Sequence, residues 1–502
     1  MNTTRNKLLK LNTFTSLFNQ IITIICGFIL PKLILETYGS EVNGLVNSIT
    51  QFLHVIAFLE MGVGAVVQSA LYKPLADKNT NSISKIIVSA QNFFNKLAFI
   101  LIIYVVILMV IYPLFTKKNF GFFYTSFLIF SISISSIAQY YFGIVNSLLL
   151  RSDQHGFIQY AAQIISVVLN TFACVILIRL GAGIHIVKLT TSFFYLLRPI
   201  ALHLYVSKNY NINRKIKINE EPIKQKWNGI AQHISAVVLD GTDNIVLTIF
   251  STLSNVSIYS VYYLVISGIK NMFLSLTNGI QSLIGELWAK QELQTLNTTF
   301  GWFEWLLHTG TVFVFGCVCV LISPFISIYT AGVNDVNYVQ PLFAYLITIA
   351  HAGHCIRLPY NIMILAGGHY KQTQSNYIIA SALNIIISII AVVSHGLVGV
   401  AIGTLIAMIY QTIWMAYYIS KNLIKWPFKN FIKQMLIDII TISIIILLSY
   451  HLSLNSITYM SWIIMAVKVV IIALTVIFIV NFIFYRKKVL GLYSKITKRR
   501  HS

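Results

Sequence analysis

Apolar runs long enough to cross a bilayer recur along this chain. A spanning helix needs about 20 apolar residues. Runs that qualify begin near Leu11, Asn43, Ile86, Phe122, Phe157 and His185. Others begin near Asn228, Ser257, Thr298, Gln340, Ser375, Leu397, Gln434 and Ser461. The pattern predicts about fourteen spans, six before and eight after one long polar interval, residues 208–227. That interval, KNYNINRKIKINEEPIKQKW, holds six basic residues, and its Pro222 discourages a continuous helix.

Composition agrees with this. The 502 residues are 57% hydrophobic and 10% charged, where a soluble protein carries about 25% charge. The net charge of +22 would suggest nucleic acid in a soluble chain, but the basic residues fall in short loops between spans, so no nucleic-acid partner is expected. Placing the N-terminus inside puts 26 Lys and Arg in inner segments and about five (Lys32, Lys117, Lys118, Arg179, Lys188) at the outer ends. By the positive-inside rule both termini are expected to be cytoplasmic. The C-terminal RKKVLGLYSKITKRRHS suits contact with anionic membrane lipids. The five cysteines all lie in apolar runs, without metal-site spacing, and read as small packing groups. The N-terminal segment reads as a first span rather than a cleavable signal.

Weak internal repetition suggests two lobes. The sixth run ends Tyr205-Val-Ser207-Lys208-Asn209 and the twelfth ends Tyr418-Ile-Ser420-Lys421-Asn422. Gly183 and Gly396 stand at the same separation upstream of these ends, and Gln159-Tyr160 matches Asn376-Tyr377. Two six-span lobes that each start inside are parallel repeats, which bind substrate at the repeat interface in transporters. The expected organisation is an all-α polytopic membrane protein: lobe 1–207, basic cytoplasmic linker 208–227, lobe 228–422, two additional helices 423–485 and a basic tail 486–502.

Three stretches carry a family resemblance: GSEVNGLVNSITQFLHVIAFLEMGVGAVVQSALYKPLADKN (39–79), TDNIVLTIFSTLSNVSIYSVYY (242–263), and 367–422, which begins GGHYKQTQ and contains GLVGVAIGTLIAMIYQT. Together they resemble the polysaccharide-transporter branch of the multidrug/oligosaccharidyl-lipid/polysaccharide flippase superfamily. The resemblance implies two six-helix lobes around a central cavity with two extra C-terminal helices. It also implies transbilayer movement of an undecaprenyl-diphosphate-linked oligosaccharide for surface polysaccharide assembly, with a polysaccharide polymerase and glycosyltransferases as partners. Alternatives are export of small drugs or of a lipid-linked peptidoglycan precursor, or a membrane-bound glycosyl-transfer enzyme. Against the enzyme stand outer loops of no more than about ten residues and no paired acids on a long loop. No GxxxxGK[ST] phosphate loop is present.

Charges inside spans are expensive and are functional candidates by default. Lys32, Lys188 and Lys468 lie near outer ends and are expected to snorkel. Lys270 heads a polar stripe with Tyr263, Ser267, Thr277, Asn278 and Gln281, and Arg357 heads another with His351, His354 and Asn361. Both stripes also suit helix–helix adhesion. With Lys96 and Arg198 they are the candidate binders of a diphosphate or acidic sugar. Asp240, Asp243 and Asn244, with His233 on nearly the same face, suit coupling to H+ or Na+, or simply neutralise Lys270 and Arg357. Asp240 and Asn244 resemble the sodium site of lipid II flippases, but that family adds an aspartate where this chain has Asn384. Glu60, before Met61-Gly62-Val63-Gly64, is a further coupling candidate or a partner for Lys96. No cofactor, metal or catalytic residue is expected.

Overall fold

A computed structural model describes the backbone of residues 3–55, 57–116, 119–216, 230–424 and 426–498. The side chains of Glu60, His233, Asp240 and Asn278 lie outside the described residues. Among the described residues the chain is helical throughout, with no strand. Each predicted apolar run falls on a helix. In order these are α1 (Thr3–His54), α2 (Ala57–Ala76), α3 (Thr80–Thr116), α4 (Phe122–Ala138), α5 (Ile144–Ser152), α6 (Gly156–Arg179), α7 (Ile184–Asn209) and α8 (Ile230–Phe250). There follow α9 (Leu253–Ala289), α10 (Leu293–Tyr329), α11 (Pro341–Ala366), α12 (Tyr370–Asn422), α13 (Phe428–Ser449), α14 (Tyr459–Phe484) and α15 (Arg486–Lys498). Among the described residues, eight helices meet the length and hydropathy of a span. Large side chains such as Phe123 and Val393 are 85% and 75% exposed. Such a surface suits lipid and not water. The protein is an all-α polytopic membrane protein.

The chain divides into two compact units, 1–257 and 258–502. In the first, the second half of α1 is stitched to α8 and the start of α9 by small polar groups. Ser48 and Thr248 share a hydroxyl hydrogen bond of 2.6 Å, and Asn43 Nδ2 donates to Ser257 Oγ at 2.7 Å. Gly44 lies so near the Leu253 carbonyl that a Cβ would stand 1.8 Å from its oxygen. Lipid removes most of the hydrophobic drive between helices, so close backbone approach and such bonds, each about 0.6 kcal/mol, hold the contact. The start of the polar interval also belongs here: Tyr210 Oη donates to Asp153 Oδ2 at 2.5 Å, and Asn213 N donates to Ser84 Oγ at 3.0 Å. Burial, and then Asp153, pushes the Tyr210 phenol up. Residues 217–229 lie outside the described residues.

In the second unit α12 is a helical hairpin. Gly396 breaks it in the left-handed region, at φ 52°, where an L side chain would be strained. Its two arms then meet through Gly399 and Gly403, and Asn384 Nδ2 donates to Thr404 Oγ1 at 3.0 Å across the contact. A Cβ on Gly399 would lie 2.3 Å from the Ala391 carbonyl, a backbone group that cannot turn aside. Gly399→Leu is therefore expected to abolish recovery of monodisperse protein, read by size-exclusion chromatography. Gly183→Ala, with open space at the Cβ, is expected to behave as wild type. The two repeated glycines thus both mark breaks, since Gly183 caps α7 in extended conformation.

Helices α13 and α14 dock on α10. Trp305 Nε1 donates to Asn481 Oδ1 at 2.7 Å, and Trp462 Nε1 donates to the Leu321 carbonyl at 3.1 Å. Leu321, Ile445, Val469 and Ala473 are buried in this contact. The amphipathic α15 returns to α10: Lys488 Nζ donates to the Gly301 carbonyl at 2.8 Å and lies 5.7 Å above the Trp305 ring. Burial pushes this ammonium from 10.5 down to about 8, against the pull of Glu304. A docked lysine that holds its proton less tightly than a free one favours docking as pH rises from about 8 towards 10.5, with no change below 8. Tryptic cleavage after Arg486 and Lys487 is expected to slow across that window. A rate that tracks only the activity of trypsin on a free peptide would contradict this.

Candidate binding cavity and buried polar clusters

Unit 1 carries a half-open cavity of about 460 Å³ among α1, α4, α6 and α7. Two local irregularities shape its wall. A π-helical turn at Gln139–Gly143 interrupts the rod formed by α4 and α5, and Pro199 removes a hydrogen bond from α7. The two meet, because a Cβ on Gly143 would lie 3.1 Å from Pro199 Cβ. The bulge turns Gln139 and Tyr140 to the cavity. From α7 come Lys188, Thr191, Ser192, Tyr195 and Arg198. Their spacing of three and four residues makes them one face of a helix. Arg198 Nη1 donates to Gln163 Oε1 at 2.8 Å, which aims the guanidinium from α7 towards α6. His54 of α1 adds to the polar lining, and among the described residues no carboxylate contributes to it. Two cations here would be costly in a dry site, and polar walls that admit water reduce that cost.

Of the residues singled out from the sequence, Arg198 lines this cavity. Lys188, expected to snorkel, lines it too. Lys96 does not: it is exposed on α3, on the face away from the buried Phe94, Leu97, Ala98 and Leu101.

Unit 2 gathers a second set. Lys270 of α9 and His351, His354 and Arg357 of α11 are all buried. Arg357 Nη2 donates to His354 Nδ1 at 3.0 Å. Arginine always donates, so the neutral His354 carries its proton on Nε2. That N–H is buried with no protein partner among the described residues. Lys270 Nζ reaches Tyr263 Oη at 3.4 Å and lies 5.7 Å from its ring centroid. Tyr263 also packs against His351 at 5.6 Å. The two predicted stripes therefore converge at their charged members. Gln281 is exposed, and Asn361 takes a hydrogen bond from Tyr377 instead.

The coupling candidates are less complete. Asp243 and Asn244 are buried in α8, and Gln51 of α1 packs against Gly241 beside them. Asp240, His233 and Glu60 have side chains outside the described residues. Asn384 is spent on Thr404 inside the α12 hairpin. Among the described residues no three metal-ligating side chains converge.

A third cluster escaped the sequence reading. Glu304 and His308 on α10, Tyr360 on α11 and Asp438 on α13 are buried and joined by hydrogen bonds. The available signal was an acid and a histidine four residues apart inside one apolar run, with Gln434 and Asp438 spaced likewise in another.

No protein-family profile matches the sequence, and no curated protein does. Solved structures share its fold. Lipid II flippase MurJ in an inward closed conformation superposes with a TM-score of 0.69 at 17% identity, over 95% of this chain and 99% of that one. An inward-facing multidrug resistance MATE family transporter gives 0.63 at 14% identity, over 80% and 94%. A mutant of the Vibrio cholerae MATE transporter VcmN gives 0.59 at 12% identity, over 85% and 99%.

Proposed function

We propose that the protein is a flippase that moves an undecaprenyl-diphosphate-linked oligosaccharide from the inner to the outer leaflet of a bacterial plasma membrane by alternating access. The observation that carries this is the unit 1 cavity among α1, α4, α6 and α7, which among the described residues offers two cations and no carboxylate. A diphosphate needs such cations. Arg198 offers a planar fork for two phosphate oxygens and Lys188 a mobile point charge. Gln139, Gln163 and Ser135 suit sugar hydroxyls, and the Tyr195 ring suits a sugar face. Unit 2 carries a cationic cluster of its own in Lys270 and Arg357. Binding through few cations leaves release feasible on the other side. A flippase and transporters built on this fold support transport over glycosyl transfer.

Asp243 and Asn244, with Asp240 and Glu60, remain the proposed groups for coupling to H+ or Na+. A glycan polymerase and glycosyltransferases are the proposed partners in assembly.

The test is lipid binding by native mass spectrometry of the purified protein. Undecaprenyl diphosphate is expected to bind and the neutral undecaprenol to bind at least tenfold more weakly. Lys188→Ala and Arg198→Ala are each expected to weaken the diphosphate lipid by roughly 10- to 100-fold, as for a charge-assisted hydrogen bond of about 1.5–3 kcal/mol. Equal binding of the two lipids would reject the reading.

A further inference from the structure

We infer that Glu304, His308, Tyr360 and Asp438 form a buried proton-binding wire, and that the folded protein holds one proton there beyond those of the neutral side chains. The four groups are 3%, 0%, 1% and 3% exposed. Three contacts connect them in series. His308 Nδ1 lies 2.6 Å from Asp438 Oδ2, His308 Nε2 lies 3.1 Å from the Tyr360 oxygen, and that oxygen lies 2.7 Å from Glu304 Oε1. The ends are held by donors: Gln434 Nε2 donates to Asp438 Oδ1 at 2.9 Å, and Trp426 Nε1 donates to the Glu304 oxygens at 3.1 and 3.2 Å.

The donor inventory sets the proton count. A phenol supplies one hydrogen, a neutral imidazole supplies one, and two carboxylates supply none. That is two hydrogens for three contacts. One contact would then place two lone-pair acceptors face to face in a buried site, beside two negative charges. A single added proton removes the conflict. It can make His308 an imidazolium between Asp438 and Tyr360. It can sit on Asp438, or on Glu304 with the Tyr360 hydroxyl turned towards His308. These forms interconvert along the wire. The His308 Nε2–H bond breaks as the Tyr360 oxygen gains that hydrogen, and the Tyr360 O–H bond breaks as Glu304 Oε1 gains its own. No electrons change hands, and the four groups carry a net charge of −1 throughout.

Other charged and titratable groups face the site. Lys488 of α15 bonds the Gly301 carbonyl three residues before Glu304. Tyr485, between α14 and α15, lies beneath Lys488 and beneath Lys433 of α13, whose ammonium groups are 5.4 and 5.2 Å from its ring. Lys488 stabilises the negative end at Glu304. The proton joins three helices: α10 carries two members, α11 one and α13 one. Its loss would set acceptors against each other across those joints and loosen α13 and α11 from α10. Tyr360 follows Arg357 by three residues on α11, so occupancy of the wire and the placement of Arg357 are linked through less than one turn. Only this last link rests on the proposed function.

Isosteric amides test the count. In Asp438→Asn the amide N–H donates to His308 Nδ1. In Glu304→Gln the amide donates to the Tyr360 oxygen, the Tyr360 hydroxyl turns to His308 Nε2, and His308 Nδ1–H meets Asp438. Each variant supplies the third hydrogen covalently and needs no bound proton. The full-length protein in lipid nanodiscs is titrated from neutral to alkaline pH, with its melting temperature followed in parallel. Wild type is expected to release one more proton than either variant and to show an alkaline step in melting temperature that both variants lack. The sign follows from linkage: the folded state keeps a proton that the unfolded chain has given up, so stability falls as pH rises through the folded-state titration. Equal proton release and parallel melting profiles would overturn the proposal. Should either variant fail to fold, infrared difference spectra of wild type decide. A change in carboxyl or imidazolium bands, on the same pH scale and absent from His308→Phe, supports the wire. No such change overturns it.

Discussion

Arg198→Glu is expected to abolish transport while leaving the protein folded. The guanidinium is held by Gln163 Oε1 on the wall of the unit 1 cavity, and Lys188 stands on the same face of α7. Replacing it by a carboxylate removes one charge-assisted contact to an anionic headgroup, about 1.5–3 kcal/mol, and adds a repulsion of similar size. The sum, about 3–6 kcal/mol, is roughly a 10²- to 10⁴-fold loss in affinity for a diphosphate. Arg198→Lys keeps the charge and loses the fork, so it is expected to retain intermediate activity. The cavity wall is polar, so membrane abundance is expected to stay close to wild type. Transport is measured as glycan reaching the outer leaflet per molecule of folded protein. Activity of Arg198→Glu within threefold of wild type would remove unit 1 from the substrate path.

The second large effect is expected at Arg357. Its guanidinium donates to His354 Nδ1 and lies in one buried cluster with Lys270 and His351. Arg357→Ala deletes the charge and leaves His354 without that donor, and Arg357→Lys restores only the charge. Transport is expected to fall in the order wild type, Lys, Ala, with Ala lower by roughly 30-fold, the size of one contact worth about 2 kcal/mol. Lys270→Ala is expected to fall with it. If both alanine variants transport at the wild-type rate, the cluster is structural adhesion between α9 and α11.

The fold was legible in the sequence because a bilayer imposes a length. Every apolar run of about 20 residues falls on a helix, and Gly183 and Gly396, matched in the repeat, both stand at breaks. Depth along a single span was a poorer guide to function. Lys188 sits near a predicted outer end, where snorkelling is the simple expectation. Its fate is decided by which faces of α1, α4 and α6 pack against α7, and no local pattern records that. Lys96 is deeper in its run, yet its face of α3 points away from the buried one. The π-helical turn at Gln139–Gly143 leaves no trace in hydropathy. The polar interval 208–227 was conspicuous, while the stitching of α8 to α1 rests on Ser48, Asn43 and Gly44, residues too small to stand out. Glu304 and Asp438 are separated by most of unit 2, and only the docking of α13 on α10 brings His308 within 2.6 Å of Asp438.

The central claim is movement of an anionic lipid-linked sugar between leaflets, and a leaflet assay tests it most directly. The purified protein is placed in liposomes that carry a fluorescent undecaprenyl-diphosphate oligosaccharide in both leaflets. A membrane-impermeant quencher is added outside. Liposomes with wild-type protein are expected to lose nearly all fluorescence, because label from the inner leaflet reaches the quencher. Liposomes with Arg198→Glu, like empty ones, are expected to retain the inner half. Retention of that half by wild-type liposomes, under an imposed H+ or Na+ gradient as well as without one, would contradict the account.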